Sequence, residues 1–289
     1  MRIDAHHHLW DLNAVSYPWL MERGAVRFFG DPTPIQRDYL IDEFRADADW
    51  FDGSVHIQVG AADPCDEAAW VQKVADANAD WPMTQVVFCD VTADDLDGQL
   101  DRFQTLSTVR GVRQIVGRAP GEDAKTGTNG LLADPRFAEG LRRAGARGLS
   151  FDLQLIPDLY SDMARVLDHA PETAIALCHC GSPTDRSAAG HAAWAEALRL
   201  LSERPQVTCK LSGLGMFDHD WTVETIRPFV ETCLDQFGPT RCMFGSNFPV
   251  DSLYSDYAIL LSAMRQIVPA DMHEAVFGAT AAAFYRMGV

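Results

Sequence analysis

His6, His7 and His8 stand together near the start of the chain, inside Ile3-Asp4-Ala5-His6-His7-His8-Leu9-Trp10. Residues two apart on an extended strand share a face, so His6 and His8 point one way and His7 the other. Two imidazoles converging on one side of a sheet suit a divalent metal such as zinc. His179 is the third candidate, in Ala176-Leu177-Cys178-His179-Cys180-Gly181-Ser182-Pro183, where Gly-Ser-Pro reads as a loop. Alternation forces a choice there: if His179 faces inward, Cys178 and Cys180 face out. A Cys-x-Cys zinc site is the rival reading, and it lacks a second cysteine pair at ligand spacing. Lys210, in Cys209-Lys210-Leu211-Ser212-Gly213, and Arg113, in Gly111-Val112-Arg113-Gln114, are charges inside apolar runs. Burying them is costly unless they are paired or hydrated. Two readings stay open for both: a structural ion pair with Asp152 or Asp90, or a clamp on a substrate carboxylate or oxyanion. Gln58, Gln154 and Asn247 are further polar groups at the ends of such runs, while Asp4 and His56 read as strand-end or barrel-floor groups.

Something must hold these residues in one place, and the hydrophobic pattern says what. Strand-like runs fall at 3–9, 54–60, 85–91, 109–116, 148–155, 174–181, 207–214 and 242–249. Helical patterns lie between them, at 65–80, 134–146, 158–170, 187–204 and 222–237, and strict alternation predicts a parallel sheet with right-handed crossovers. Eight such units in 289 residues fit a single (β/α)8 barrel of ~250 residues, one α/β domain over 1–289. An open doubly wound sheet is the alternative, and the first run lacks the Gly-rich phosphate loop that would favour it. In a barrel the polar strand ends listed above gather at the C-terminal mouth. The segment 12–35, with Tyr17-Pro18-Trp19-Leu20 and Phe28-Phe29, is too apolar for a free loop and predicts a lid over that mouth, with Trp19 touching substrate. Specificity is expected to reside in the loops 12–35, 117–131, 183–194 and 214–221.

Composition narrows the partners. With 24 Lys and Arg against 41 Asp and Glu, the net charge of −17 disfavours nucleic acid and anionic membrane surfaces, and an anionic ligand needs local Arg or Lys. Met1-Arg2-Ile3-Asp4-Ala5 carries no apolar run of a signal peptide, and no stretch reaches the roughly 20 apolar residues of a membrane span. A cytoplasmic location, seven reduced cysteines and a small-molecule substrate are the expectations, with homodimerisation left open.

Met243-Phe244-Gly245-Ser246-Asn247-Phe248-Pro249-Val250-Asp251, together with the His6–His8 segment, Tyr17-Pro18-Trp19-Leu20, Lys210-Leu211-Ser212-Gly213 and the His-x-Gly-x-Pro pattern at 179–183, resembles the amidohydrolase superfamily. Within it, the chain is similar to the lactonase group that includes L-fuconolactonase, L-rhamnonolactonase, 4-sulfomuconolactone hydrolase and 2-pyrone-4,6-dicarboxylate lactonase. The resemblance runs from residue 3 to roughly 285. It implies a barrel that opens a sugar-acid or muconate-type lactone, as in carbohydrate metabolism, by attack of activated water. It also implies that His6, His8 and His179 hold a divalent metal, zinc first, while Lys210 and Asn247 serve catalysis. Arg113, Gln58, Gln154, Trp19, Phe248 and Asp251 would contact substrate. One departure stands out: the family commonly has Ser-Asp-Trp-Pro where this chain has Ser246-Asn247-Phe248-Pro249. An amide cannot serve as the general base and is a weaker ligand than a carboxylate. Either three histidines hold the metal and the base lies elsewhere, or the site works without tight metal, with His179 or Asp251 taking the proton. The rival activities are metal-dependent decarboxylation, also found in the superfamily, and non-catalytic binding of a sugar acid.

Overall fold

A computed structural model describes residues 1–118 and 127–288. The apolar runs become β1 (Ile3–His7), β2 (Gly53–Ile57), β3 (Met83–Phe88), β4 (Val109–Ile115), β5 (Ser150–Gln154), β6 (Ile175–Leu177), β7 (Val207–Leu211) and β8 (Cys242–Phe244). Each pairs in parallel with the next, in the order β1 to β8. Past the end of β8, the chain closes the ring onto β1. The Asn247 N–H donates to the His6 carbonyl at 2.7 Å, the His8 N–H to the Phe248 carbonyl at 2.8 Å, and the Ser246 N–H to the Asp4 carboxylate at 2.9 Å. The result is a (β/α)8 barrel.

Eleven helices lie among the described residues: α1 (Pro18–Met21), α2 (Ile41–Asp47), α3 (Pro64–Ala77), α4 (Leu96–Gln104), α5 (Gly130–Ala133), α6 (Pro135–Ala146), α7 (Tyr160–Asp168), α8 (Ala188–Ser202), α9 (Val223–Phe237), α10 (Tyr257–Ile267) and α11 (Thr280–Phe284). Local chemistry sets several starts. Asp63 and Asp134 each accept a backbone N–H two residues on, at 2.8 and 2.9 Å, and each is followed by proline at the first helical position. Thr222 and Thr225 form a reciprocal capping box at the head of α9. None of these helices is long and apolar enough to cross a membrane.

The core has two parts. A large cluster fills the space between sheet and helices. A smaller one, with Ile3, Ala5, Val55, Val86, Ala176 and Met243, fills the lumen floor and is plugged by Ala281, Tyr285 and Met287 at the C-terminal end of the chain. The expected lid is built as well: the Ala62 N–H donates to the Ser16 carbonyl, the Trp19 indole N–H to the Val59 carbonyl (both 2.8 Å), and the Tyr254 hydroxyl to the Phe29 carbonyl at 2.5 Å. Of the specificity loop 117–131, residues 119–126 lie outside the described residues.

Two strands end sooner than their apolar runs suggest. β6 stops at Leu177 and β8 at Phe244, so His179 and Asn247 sit in turns, with φ of 57° and 58°.

Candidate active site

Simple alternation does not place the first-strand histidines. Ile3 and Ala5 already face the lumen, so an unbroken strand would send His6 outward. The β1–β2 register shifts between Asp4 and His7, and past that irregularity His6 and His8 face inward. His7 stacks on Phe44 of α2 in the helix layer, with ring centroids 3.8 Å apart. Gly245 makes room for this: a Cβ there would lie 2.5 Å from that of His6.

The His6 ring centroid is 5.1 Å from that of His8 and 4.6 Å from that of His179. All three are buried. Burial, then the charge of Lys210, holds His6 well below the ordinary histidine range; burial, then Arg113, does the same for His179. Burial lowers His8 to about 3 against the opposing pull of its bond to the Ile57 carbonyl. The three rings are therefore neutral near pH 7. His179 is fixed by Nδ1 against the Ser212 hydroxyl at 3.0 Å. Gly213, at φ +62°, leaves space for that ring, because a Cβ there would fall 2.4 Å from His179 Nδ1.

His8 Nδ1 donates to the Ile57 carbonyl at 2.9 Å, so its Nε2 carries a lone pair in the neutral ring. That lone pair faces Asn247 Oδ1 at 3.3 Å, while Asn247 Nδ2 donates to Asp251 at 3.0 Å. Two acceptors face each other, which calls for positive charge between them or a reversed amide. Reversal requires a proton on Asp251, and burial pushes that carboxyl up to about 7. A cation beside His8 Nε2 satisfies the same geometry.

Above these groups opens a cavity of about 1030 Å³, lined by His8, His179, Asn247, Arg113, Gln58, Gln154 and the lid residue Trp19. Arg113 is 5% exposed; it donates to Gln154 Oε1 at 2.5 Å and to the Gln58 carbonyl at 3.4 Å, and its Nε has no partner. No carboxylate among the described residues pairs with it. Of the alternatives open to Arg113, the ion pair with Asp90 does not form; Asp90 accepts instead from Gln114 and Thr92.

Four expected site residues, His6, Lys210, Phe248 and Asp251, do not line this cavity. The Lys210 ammonium is held by Asp152 at 2.5 Å, and both side chains are 0% exposed. Of the two roles open to Lys210, the structural pair is the one built here, because the lumen floor seals it beneath the mouth. Phe248 is buried and packs on Tyr257, and Asp251 is buried behind Asn247, so neither lines the cavity wall as a substrate contact would.

The donor set in the lumen suits a metal. Both His6 nitrogens are buried without a hydrogen-bond partner, which suits them to ligate a cation. Among the described residues, the donor atoms lying within 4.8 Å of one another belong to His6, Asp152 and Cys178, not to the three imidazoles. This corrects the expectation that Cys178 faces away from the lumen. With β6 ending at Leu177 and His179 in a left-handed turn, alternation no longer separates the two neighbours, whereas Cys180 does join the outer core. All seven cysteines are free.

Sequence reasoning also missed Tyr285, whose hydroxyl donates to Asp152 at 2.9 Å, and Glu67, which accepts the Val59 N–H at 2.7 Å. Burial raises Glu67 to about 8. The acid-capped start of α3 hinted at Glu67; no local signal points to Tyr285.

A parallel barrel of this kind has counterparts among known proteins. The chain is 38% identical to the uncharacterized protein y4mH of Sinorhizobium fredii, over 99% of this chain and 98% of that one. It is 29% identical to an L-fucono-1,5-lactonase of Burkholderia multivorans, over 99% and 96%. A crystal structure of an amidohydrolase from Burkholderia multivorans with bound zinc superposes with a TM-score of 0.83 at 26% identity, covering 99% of each chain. The amidohydrolase family model matches residues 3–287, and a match running from the first strand to the lumen plug makes this chain a member of the amidohydrolase family, a hydrolase of that superfamily.

Proposed function

We propose that the protein hydrolyses the ring ester of a lactone, of the sugar-acid or muconate type, at the barrel mouth. The observation that carries this reading is the pairing, on one cavity, of neutral imidazoles with a buried guanidinium that has no carboxylate partner. Similarity to L-fucono-1,5-lactonases at 25% and 29% identity supports the ester class. The ring lies under Trp19, and Arg113 donates to the carbonyl oxygen or to a carboxylate beside it. The unprotonated His179 takes a proton from the attacking water and returns it to the ring alkoxide as the C–O bond breaks, giving the hydroxy acid. An alkoxide leaves more readily than an amine, so a site without the family's aspartate suffices. His6 and His8 would hold a divalent cation, zinc first, leaving His179 free to carry the proton. When bound, the cation supplies Lewis-acid polarisation of the carbonyl.

The test is a panel of sugar and muconate lactones offered to metal-defined protein, with acid release followed by a pH indicator. Ring opening of at least one member is expected. Inertness toward every lactone, with release of CO2 from a carboxylated substrate, would replace this reading by decarboxylation; binding without turnover would leave a sugar-acid-binding barrel.

A further inference from the structure

Below the cavity floor, Cys178 is fully buried inside the barrel; its thiol lies 3.8 Å from the Ala176 carbonyl and within reach of the Arg113 guanidinium. Its sulfur lies within 4.8 Å of a His6 ring nitrogen and an Asp152 carboxylate oxygen. His6 provides an independent sign of a ligand, because both of its nitrogens are buried with nothing to bond. Asp152 accepts from Lys210 and from the Tyr285 hydroxyl, contacts that leave part of its roughly four lone-pair positions open.

We propose that Cys178 is a thiolate ligand, so that this lumen holds a soft divalent cation through His6 and Cys178, with Asp152 beside them. On binding, the S–H bond breaks, its proton leaves to solvent, and a metal–sulfur bond forms without change of oxidation state. Burial raises the free thiol to about 11 while Lys210 and Arg113 oppose that rise. The cation therefore supplies the charge that stabilises the thiolate. Thiolate ligation selects zinc, cadmium or cobalt over magnesium and manganese, which prefer oxygen. The inference rests on the reading that the lumen takes a divalent metal, and it adds a sulfur donor to it.

The experiment loads chelator-treated protein with one equivalent of cobalt(II) or zinc(II). Cobalt should bring a thiolate-to-metal charge-transfer band in the near ultraviolet, and zinc X-ray absorption should show a sulfur scatterer near 2.3 Å beside a nitrogen at about 2.0–2.1 Å. In Cys178→Ser the band and the sulfur shell should vanish, and zinc affinity should fall on the order of 10–100-fold, the range set by lesser outer-shell losses. Wild-type protein that binds one equivalent with no sulfur in either spectrum overturns the proposal and leaves an imidazole-only site; so does a band that survives in the variant. Wild-type protein that takes up no metal by equilibrium dialysis removes the metal reading itself. The wild-type spectra decide the point even if the variant fails to fold.

Discussion

Among the described residues, two cations are buried in the lumen of this barrel, one at the floor and one at the mouth. Lys210 is closed off: Asp152 holds its ammonium, and the Tyr285 hydroxyl donates to the same carboxylate. Arg113 is Asp152's register partner across β4 and β5, yet it turns upward to Gln154 and the Gln58 carbonyl and meets no carboxylate among the described residues. In an interior of low polarisability, an ion with its counter-ion completes a structural element, while an ion without one leaves electrostatic energy unspent. The floor holds the barrel together; the mouth keeps a guanidinium without a counter-ion.

Lys210→Met should have the largest effect, because it strands the Asp152 carboxylate in the core. A stability loss of about 3–5 kcal/mol is expected in urea unfolding, and an apolar replacement of both partners should recover most of it. Arg113→Met should do the reverse. Its stability should stay within about 1 kcal/mol of the parent, while kcat/KM for the best lactone falls on the order of 10²–10³-fold, as on removal of an oxyanion donor. If Arg113→Met unfolds as readily as Lys210→Met, or leaves turnover intact, floor and mouth do not differ in the way described.

Much of this architecture was legible in the sequence. The eight runs of β-branched and apolar residues became eight strands, because parallel strands buried on both faces must be apolar throughout. Alternation implies a helix after each strand, but the sequence bounds only α3 and α6 to α9, not α1, α2, α4, α5, α10 or α11, nor the strand ends at Leu177 and Phe244. Those ends decide the site. Periodicity describes a regular strand, and a register shift in β1 or a left-handed residue at 179 or 247 breaks the period without changing composition. His6 and His8 were expected to face inward on alternation; they do so through the irregularity. Cys178 was turned outward by the same rule, and Lys210 could be given either role because its partner, Asp152, lies 58 residues away in the chain.

The comparison extends to groups that burial keeps neutral, and pH reads them. His6, His7, His8, His56 and His179 are all depressed, His8 to about 3 and His56 to about 4, chiefly by burial. Below about pH 6.5 the unfolded chain binds protons that the native one refuses, so stability rises with pH through roughly 4 to 6.5 and is lost on acidification. Glu67 and Asp251 run the other way: raised to about 8 and about 7, they keep their protons in the native state, and stability is lost as pH climbs through those values. Each fully shifted group contributes about 1.4 kcal/mol per pH unit. Metal-free protein should therefore be most stable near pH 6.5. Glu67→Gln and Asp251→Asn should flatten the alkaline limb and steepen the acid one, because both groups lower stability from about pH 4 up to their raised values. A monotonic curve from pH 4 to 9 would contradict this.

The smallest expected effect comes from giving the mouth the carboxylate that the floor already has. Asn247→Asp places an acid 3.0 Å from Asp251 and opposite the His8 lone pair at 3.3 Å. Without metal, two carboxyls at hydrogen-bonding distance in a buried site share one proton, so the variant should match the parent near pH 6 and lose stability above pH 8. With metal, the new carboxylate supplies a harder and charged donor beside His8, and zinc retention against a chelator should improve about tenfold, worth about 1.4 kcal/mol. The two limbs separate the explanations for the acceptor–acceptor contact in the parent. If a cation belongs between His8 and residue 247, retention rises; if Asp251's proton and a reversed amide already satisfy the contact, retention stays level and only the alkaline loss is seen.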